Sequence, residues 1–198
     1  MGRPSVKAQR SSEILDAFET CVARYGVEGA TLERIAAEAG LARALIRHHV
    51  GNRDDLLKAL TRRFLAQSER HQQDLLDYLP EGDRVLSLID LLFDHSQSDQ
   101  NFVLVAEALI AAAGERPELA AQLADWVHSF IALIAAELRR EYDAAAADAI
   151  DAVAAGIAGI YFNVDSLTTL GDMGGLRQAS KQAALRLVRS IELDHESR

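Results

Sequence analysis

The feature that most constrains this chain is the stretch from Thr31 to Leu57, TLERIAAEAGLARALIRHHVGNRDDLL. It reads as a short helix, a glycine-bearing turn, a second short helix and the start of a third. Thr31 offers the hydroxyl of an N-cap, although Arg34 stands where a full capping box would place glutamate or glutamine. Leu32, Ile35, Ala36 and Ala39 recur at helical spacing and define one buried face. Gly40 supplies the left-handed residue that ends such a helix tightly. In the next helix Leu41, Leu45 and Ile46 are expected to anchor inward. Arg43, Ala44, Arg47 and one or both of His48 and His49 are then left to face out. Arg43 and Arg47 lie one turn apart, so both guanidinium groups leave the same side. This is a helix-turn-helix pattern whose second helix is shaped for a major groove.

A net charge of -9 runs against a nucleic-acid partner until it is divided along the chain. Residues 1–63 carry eleven Lys/Arg against eight Asp/Glu, whereas residues 64–198 carry ten against twenty-two. Positive charge therefore gathers at the helix-turn-helix end, and phosphate contacts dominate nucleic-acid affinity. Arg43 and Arg47 are the candidates for base edges, because arginine pairs bidentately with guanine. Thr31, His49 and Arg53 sit at helix ends and suit phosphate. The full candidate contact set is Thr31, Arg43, Ala44, Leu45, Arg47, His48, His49 and Arg53, with a merely solvated charge as the competing reading for each arginine. Adjacent residues on a helix diverge by about 100°, so His48 and His49 do not chelate a metal together. An arm over residues 1–9, with Arg3, Lys7 and nearby Arg10, either reaches phosphate or the minor groove or serves as a solubilising tail.

The run AGLARALIRHHVGNRDDLL resembles the signature of the tetracycline-repressor (TetR) family of bacterial regulators. That signature has an alanine-glycine turn and a short recognition helix ending in aromatic-X-His-aromatic. A Gly/Ser/Asn-Lys-Glu/Asp-X-Leu segment follows. This chain keeps Ala39-Gly40, His49, Gly51-Asn52, a basic residue at Arg53, Asp54-Asp55 and Leu56. It departs at Ala42, usually a serine-like cap, at Leu45, often threonine, at Arg47, often tyrosine, and at Val50, often phenylalanine. The change at Ala42 weakens the start of the recognition helix, and the change at Arg47 bears on operator preference. The resemblance covers the first third of the chain and implies the same division between base-reading and phosphate-holding residues.

The remainder predicts an all-α fold with two parts, a helix-turn-helix domain over 1–52 and a larger helical domain over 53–198. A first helix over about Val6 to Tyr25 carries Ile14, Leu15, Phe18, Cys21, Val22 and Tyr25 on one stripe. Cys21 is the single cysteine, which rules out an intramolecular disulfide and points to a reducing compartment. A redox role would need an activated thiolate, and no basic cluster surrounds it. A fourth helix, opened by Asn52-Arg53-Asp54-Asp55, is expected to run to about Tyr78 as a connecting rod, with its acids at the positive end. Further helices are expected near Asp83–His95, Asp99–Ala113, Pro117–Tyr142, Ala145–Leu170 and Leu176–Leu193. The basic, polar N-terminus shows no secretory signal, and the longest uncharged run, Ala152 to Val164, is too short to span a bilayer. The expectation is a soluble cytoplasmic protein with no membrane partner.

Alanine and the glycines 156 and 159 permit close approach in the penultimate helix. Ala179, Ala183, Leu187, Val188 and Ile191 form a narrow face on the last. Two such helices, over about 145–193, suit a four-helix contact in a homodimer, and the resemblance implies the same. Paired recognition helices would then read half-sites about 34–36 Å apart. Phe64, Phe93, Phe102, Glu107, Trp126, Phe130, Tyr161 and Asn163, with His95 and Phe162, are the candidate walls of a small-molecule chamber. Core packing is the competing reading for each aromatic, and a single solvated glutamate is that for Glu107.

The function expected is a dimeric transcription regulator, most simply a repressor released from a palindromic operator by an unidentified small-molecule effector, with no cofactor and no metal. The alternatives are an effector-independent DNA-binding module acting through a protein partner, and an all-helical enzyme. Against the enzyme stands the lack of a nucleophile elbow, phosphate loop or paired-histidine motif.

Overall fold

A computed structural model describes residues 6–94, 99–171 and 173–196, with side chains over 9–94, 99–171 and 173–191. Among the described residues the elements are α1 (Val6–Gly29), α2 (Leu32–Ala39), α3 (Arg43–Val50), α4 (Arg53–Tyr78), α5 (Arg84–Leu92), α6 (Gln100–Ala113), α7 (Pro117–Glu141), α8 (Ala147–Leu167), a 3-10 turn (Thr168–Leu170) and α9 (Leu176–Glu196). None of them is a strand, in keeping with the all-α expectation. The helices form two units, one of residues 1–68 and 101–122 and the other of 69–100 and 123–198. The connecting helices α4 and α7 each contribute to both.

The first unit is built on α1. Ile14, Phe18, Cys21 and Val22 give it a fully buried stripe, and Ile35 of α2, Ile46 of α3 and Leu56 and Leu60 of α4 are buried with them. Each such side chain contributes roughly 1.5–3 kcal/mol by leaving water. The sequence reading closed α1 at Gly26; the chain instead bends there, at φ 71 and ψ 171, and continues helically to Gly29. Only glycine adopts that conformation without strain. In α3 the buried residue is Ile46, while Leu45 is 43% exposed. The expectation that both anchor inward is corrected by helix geometry: neighbours diverge by about 100°, and α3 presents one narrow edge to α1 and α2.

In the second unit α5, α7, α8 and α9 enclose a core that includes Leu88, Ile89, Ile134, Leu138, Ile150, Ile157, Val188 and Ile191. At the start of α5, Asp83 stands in the left-handed region (φ 51) and makes no side-chain cap. That end is held from α7 instead, by two glutamates one turn apart. Glu141 Oε2 accepts the Val85 N–H at 3.1 Å, and Glu137 takes both Nε and Nη2 of Arg84 at 2.7 and 3.1 Å. Gly156 of α8 lies so close to α9 that a Cβ there would stand 2.9 Å from Leu187 Cδ1, whereas Gly159 faces open space. Close approach therefore needs one of the two glycines. Helices α7 and α8 are long and apolar enough to cross a membrane by length and composition; here their apolar faces supply the core.

Candidate nucleic-acid interface

The reading head is assembled from short-range rules. Thr31 caps α2, its Oγ1 accepting the Arg34 N–H at 3.4 Å. Gly40 ends α2 in the left-handed region (φ 64, ψ 31), its N–H directed at the carbonyls of Ala36 and Ala37. Ala42 starts α3 without a side-chain cap, as its methyl group dictates. The far end of α3 is tied to α1 by Ser11 Oγ, which donates to the His49 carbonyl at 3.4 Å. Gly51, at φ 79, then turns the chain into α4.

On this frame Arg43, Ala44, Leu45, Arg47 and His48 are all exposed on α3. Thr31 is exposed at the N-terminus of α2, where backbone N–H groups and the helix dipole favour an anion. His49 is half-buried, its ring edge-on to that of His48 with centroids 5.2 Å apart. Its Nδ1 is buried with no hydrogen-bond partner among the described residues.

Arg53 behaves differently from its sequence reading. Its Nη1 donates to Glu28 Oε2 at 2.9 Å and its Nη2 to the Val27 carbonyl, so the guanidinium clamps the end of α1 to the start of α4. Glu28 is shared, accepting Arg116 Nη2 at 2.6 Å through its other oxygen. Hydrogen bonds from Arg53 and then Arg116 hold the Glu28 carboxyl below its ordinary range. Helix α6 is docked on the same unit at its other end, where Asn101 donates to Glu19 at 3.2 Å. Arg63 pairs with Asp16 and Glu19 at 2.5 and 3.1 Å. Beside the expected arm, whose residues 6–9 belong to α1, Arg10 pairs with Glu13 at 2.8 Å; Arg3 and the Lys7 side chain lie outside the described residues.

The chamber candidates divide between the units. In the first, the rings of Phe64 and Phe102 stack with centroids 4.6 Å apart. They line a narrow surface recess with Glu19, Leu60, Gln67 and Val105, too tight to hold even a water molecule. Glu107 is half-buried on α6. In the second unit Tyr161 meets Phe93 edge-on at 6.3 Å and Phe130 at 5.4 Å, while Phe162 meets Trp126 at 5.4 Å and Phe130 at 5.2 Å. Burial, then the neighbouring Asp165 carboxylate that its hydroxyl meets, push the Tyr161 phenol well above its ordinary range. Asp165 is buried and paired with Arg177 at 2.9 Å. Asn163 is exposed on α8, and His95 lies outside the described residues. Sequence reading missed Asp165 and Arg177, because their partners come from different helices.

A capped α2, a glycine turn and an exposed arginine pair on α3 define an all-helical protein of the helix-turn-helix class. Residues 14–60 match the family model of bacterial regulatory proteins of the tetR family. It is 29% identical over 124 residues to the HTH-type transcriptional regulator BetI of Stenotrophomonas maltophilia, covering 61% of this chain and 62% of that protein. The chain thus spans about three fifths of the length of this relative. A putative transcriptional regulator from Pseudomonas aeruginosa PAO1 shares the fold, with a TM-score of 0.73 at 21% identity over 93% of this chain and 91% of the other. The multidrug binding protein EbrR, solved with imidazole, superposes with a TM-score of 0.59 at 26% identity over 90% of this chain and 94% of its own.

Proposed function

We propose that this chain is a homodimeric repressor that reads a palindromic operator through α3 and leaves it when a small molecule binds in the second unit. The observation that carries the reading is the exposed pair Arg43 and Arg47, one turn apart on a helix fixed by the Thr31 cap, the Gly40 turn and buried Ile46. Their guanidinium groups suit guanine edges, and Thr31, His48 and His49 are the flanking candidates for phosphate. Bound across a promoter, such a dimer represses by occlusion. It works in the cytoplasm, where DNA and a reduced Cys21 coexist.

The dimer face we assign to α8 and α9. Ala152, Ala155 and Gly159 leave a smooth exposed stripe on α8, and Ala179 lies exposed at the start of α9. For the effector, the aromatic cluster of Phe93, Trp126, Phe130 and Tyr161 is the better-formed candidate wall. EbrR, a relative in fold, is described as multidrug binding, which agrees with an aromatic lining. An effector that prefers one arrangement of α4 and α7, the helices common to both units, shifts the head's population away from the operator-competent state by that preference.

Selection of randomised duplex DNA by the purified protein tests this reading. An enriched inverted repeat that an Arg43→Ala/Arg47→Ala variant fails to select supports it. No enrichment at low salt overturns it.

A further inference from the structure

Arg43 does not stand alone in the reading head. Its Nη1 lies 2.5 Å from Glu33 Oε1, an ion pair that joins the first residue of α3 to the second residue of α2. Both side chains are more than half exposed, so the pair lies on the outward surface and not in the packing between the helices. The Glu33 carboxylate accepts its own backbone N–H and the Thr31 hydroxyl at the positive end of α2, and the charges of Arg43 and Arg47 act on it. These contacts hold it below the ordinary glutamate range, so it stays ionised. One carboxylate thus pairs with Arg43 and lies in the field of Arg47, the two arginines that meet bases in the proposed reading.

Two consequences follow from elementary chemistry. Arginine offers five N–H donors in a planar fork. With Nη1 held by Glu33, the Nε and Nη2 edge remains to meet the two acceptors of a guanine. A long side chain on a helix start that lacks a cap is otherwise free to swing to the nearest phosphate, a contact without sequence information. The same carboxylate also repels phosphate, whatever the base sequence beneath.

We infer that Glu33 is a specificity-determining residue of the reading head, a positioning residue that holds Arg43 toward base edges and penalises its capture by phosphate. The inference rests on the operator-reading function proposed above. Glu33 contacts no base itself. It lowers affinity for every duplex while widening the gap between the right one and the rest.

The test compares wild type, Glu33→Gln, Arg43→Ala and the double variant on two duplexes, the selected repeat and a shuffled version, by fluorescence anisotropy over a salt series. Glu33 is exposed, and melting curves confirm that each variant is folded. The expected result for Glu33→Gln is tighter binding to the shuffled duplex. Its salt dependence steepens by about one phosphate contact. Its preference for the selected duplex falls on the order of tenfold. In the Arg43→Ala background the same substitution leaves the preference unchanged. The inference is overturned if Glu33→Gln keeps the wild-type preference, or lowers it equally with and without Arg43. A wild-type protein that does not distinguish the duplexes contradicts the operator reading itself, and is told apart from those outcomes by the wild-type curves alone.

Discussion

Asn52 and Asp55 cap one another at the start of α4: Asp55 Oδ2 accepts the Asn52 N–H at 3.0 Å, and Asn52 Oδ1 accepts the Asp55 N–H at 2.9 Å. This reciprocal pair satisfies two donors that a helix N-terminus leaves open. It also fixes where α3 ends, because Gly51 turns the chain immediately before it. A Cβ on Gly51 would stand 2.4 Å from Asp55 Oδ2, on a residue already at φ 79. Gly51→Ala is therefore expected to lose both the backbone conformation and the cap, at about 2–3 kcal/mol. Asp55→Ala loses the cap alone, at about 1 kcal/mol. Urea unfolding of the two variants checks the order, and equal losses contradict it.

Arg53 gives a second prediction, since its guanidinium is engaged by Glu28 and Val27. If that clamp is its role, Arg53→Ala lowers the melting temperature and weakens operator binding with the salt slope unchanged. A residue that neutralises phosphate would instead reduce the slope by about one. Binding measured from low to physiological salt separates the two.

The Glu28 cluster carries a pH dependence. The carboxyl is held below its ordinary value of 4.5 by hydrogen bonds from Arg53 and Arg116, so folding favours the ionised form. The stabilisation is complete above the unfolded value and is lost as pH falls through the lower folded value. Glu28 is 66% exposed, which keeps the effect below about 1 kcal/mol. Melting curves of wild type and Glu28→Gln are expected to differ at pH 7 and to converge as the pH falls through the lowered folded value of Glu28. A gap that persists at low pH contradicts this.

Cys21 is 1% exposed, and burial, followed by the charge of Glu38, pushes its thiol above the ordinary value of 9.0. Little thiolate forms at neutral pH and little of it is reachable. An aromatic disulfide reagent is expected to label the native protein at least about a hundredfold more slowly than the denatured chain. Comparable rates would revive a redox role.

What the sequence made legible was local. Thr31, Gly40 and Ala42 act within four residues of themselves, and their caps, turn and missing cap were all readable from side-chain chemistry. The Asn52–Asp55 pair had a readable spacing too, although aspartate in place of glutamate hid it. The clamp made by Arg53 was not legible because Val27 and Glu28 lie far back in the chain. Glu33 gave no signal because Arg43 belongs to another helix. The chamber was the least legible: helical spacing says that Phe64 and Trp126 are buried, and nothing in it says that they belong to different units.

The central claim is that α3 reads bases through Arg43 and Arg47, and equilibrium binding at 0.15 M salt tests it most directly. Wild type and Arg43→Ala/Arg47→Ala are titrated on the selected duplex and on an unrelated one. The account predicts that the double variant loses on the order of a hundredfold in affinity for the selected duplex, as two bidentate contacts require, and comes to bind both duplexes alike. A double variant that still prefers the selected duplex by the wild-type margin would contradict it.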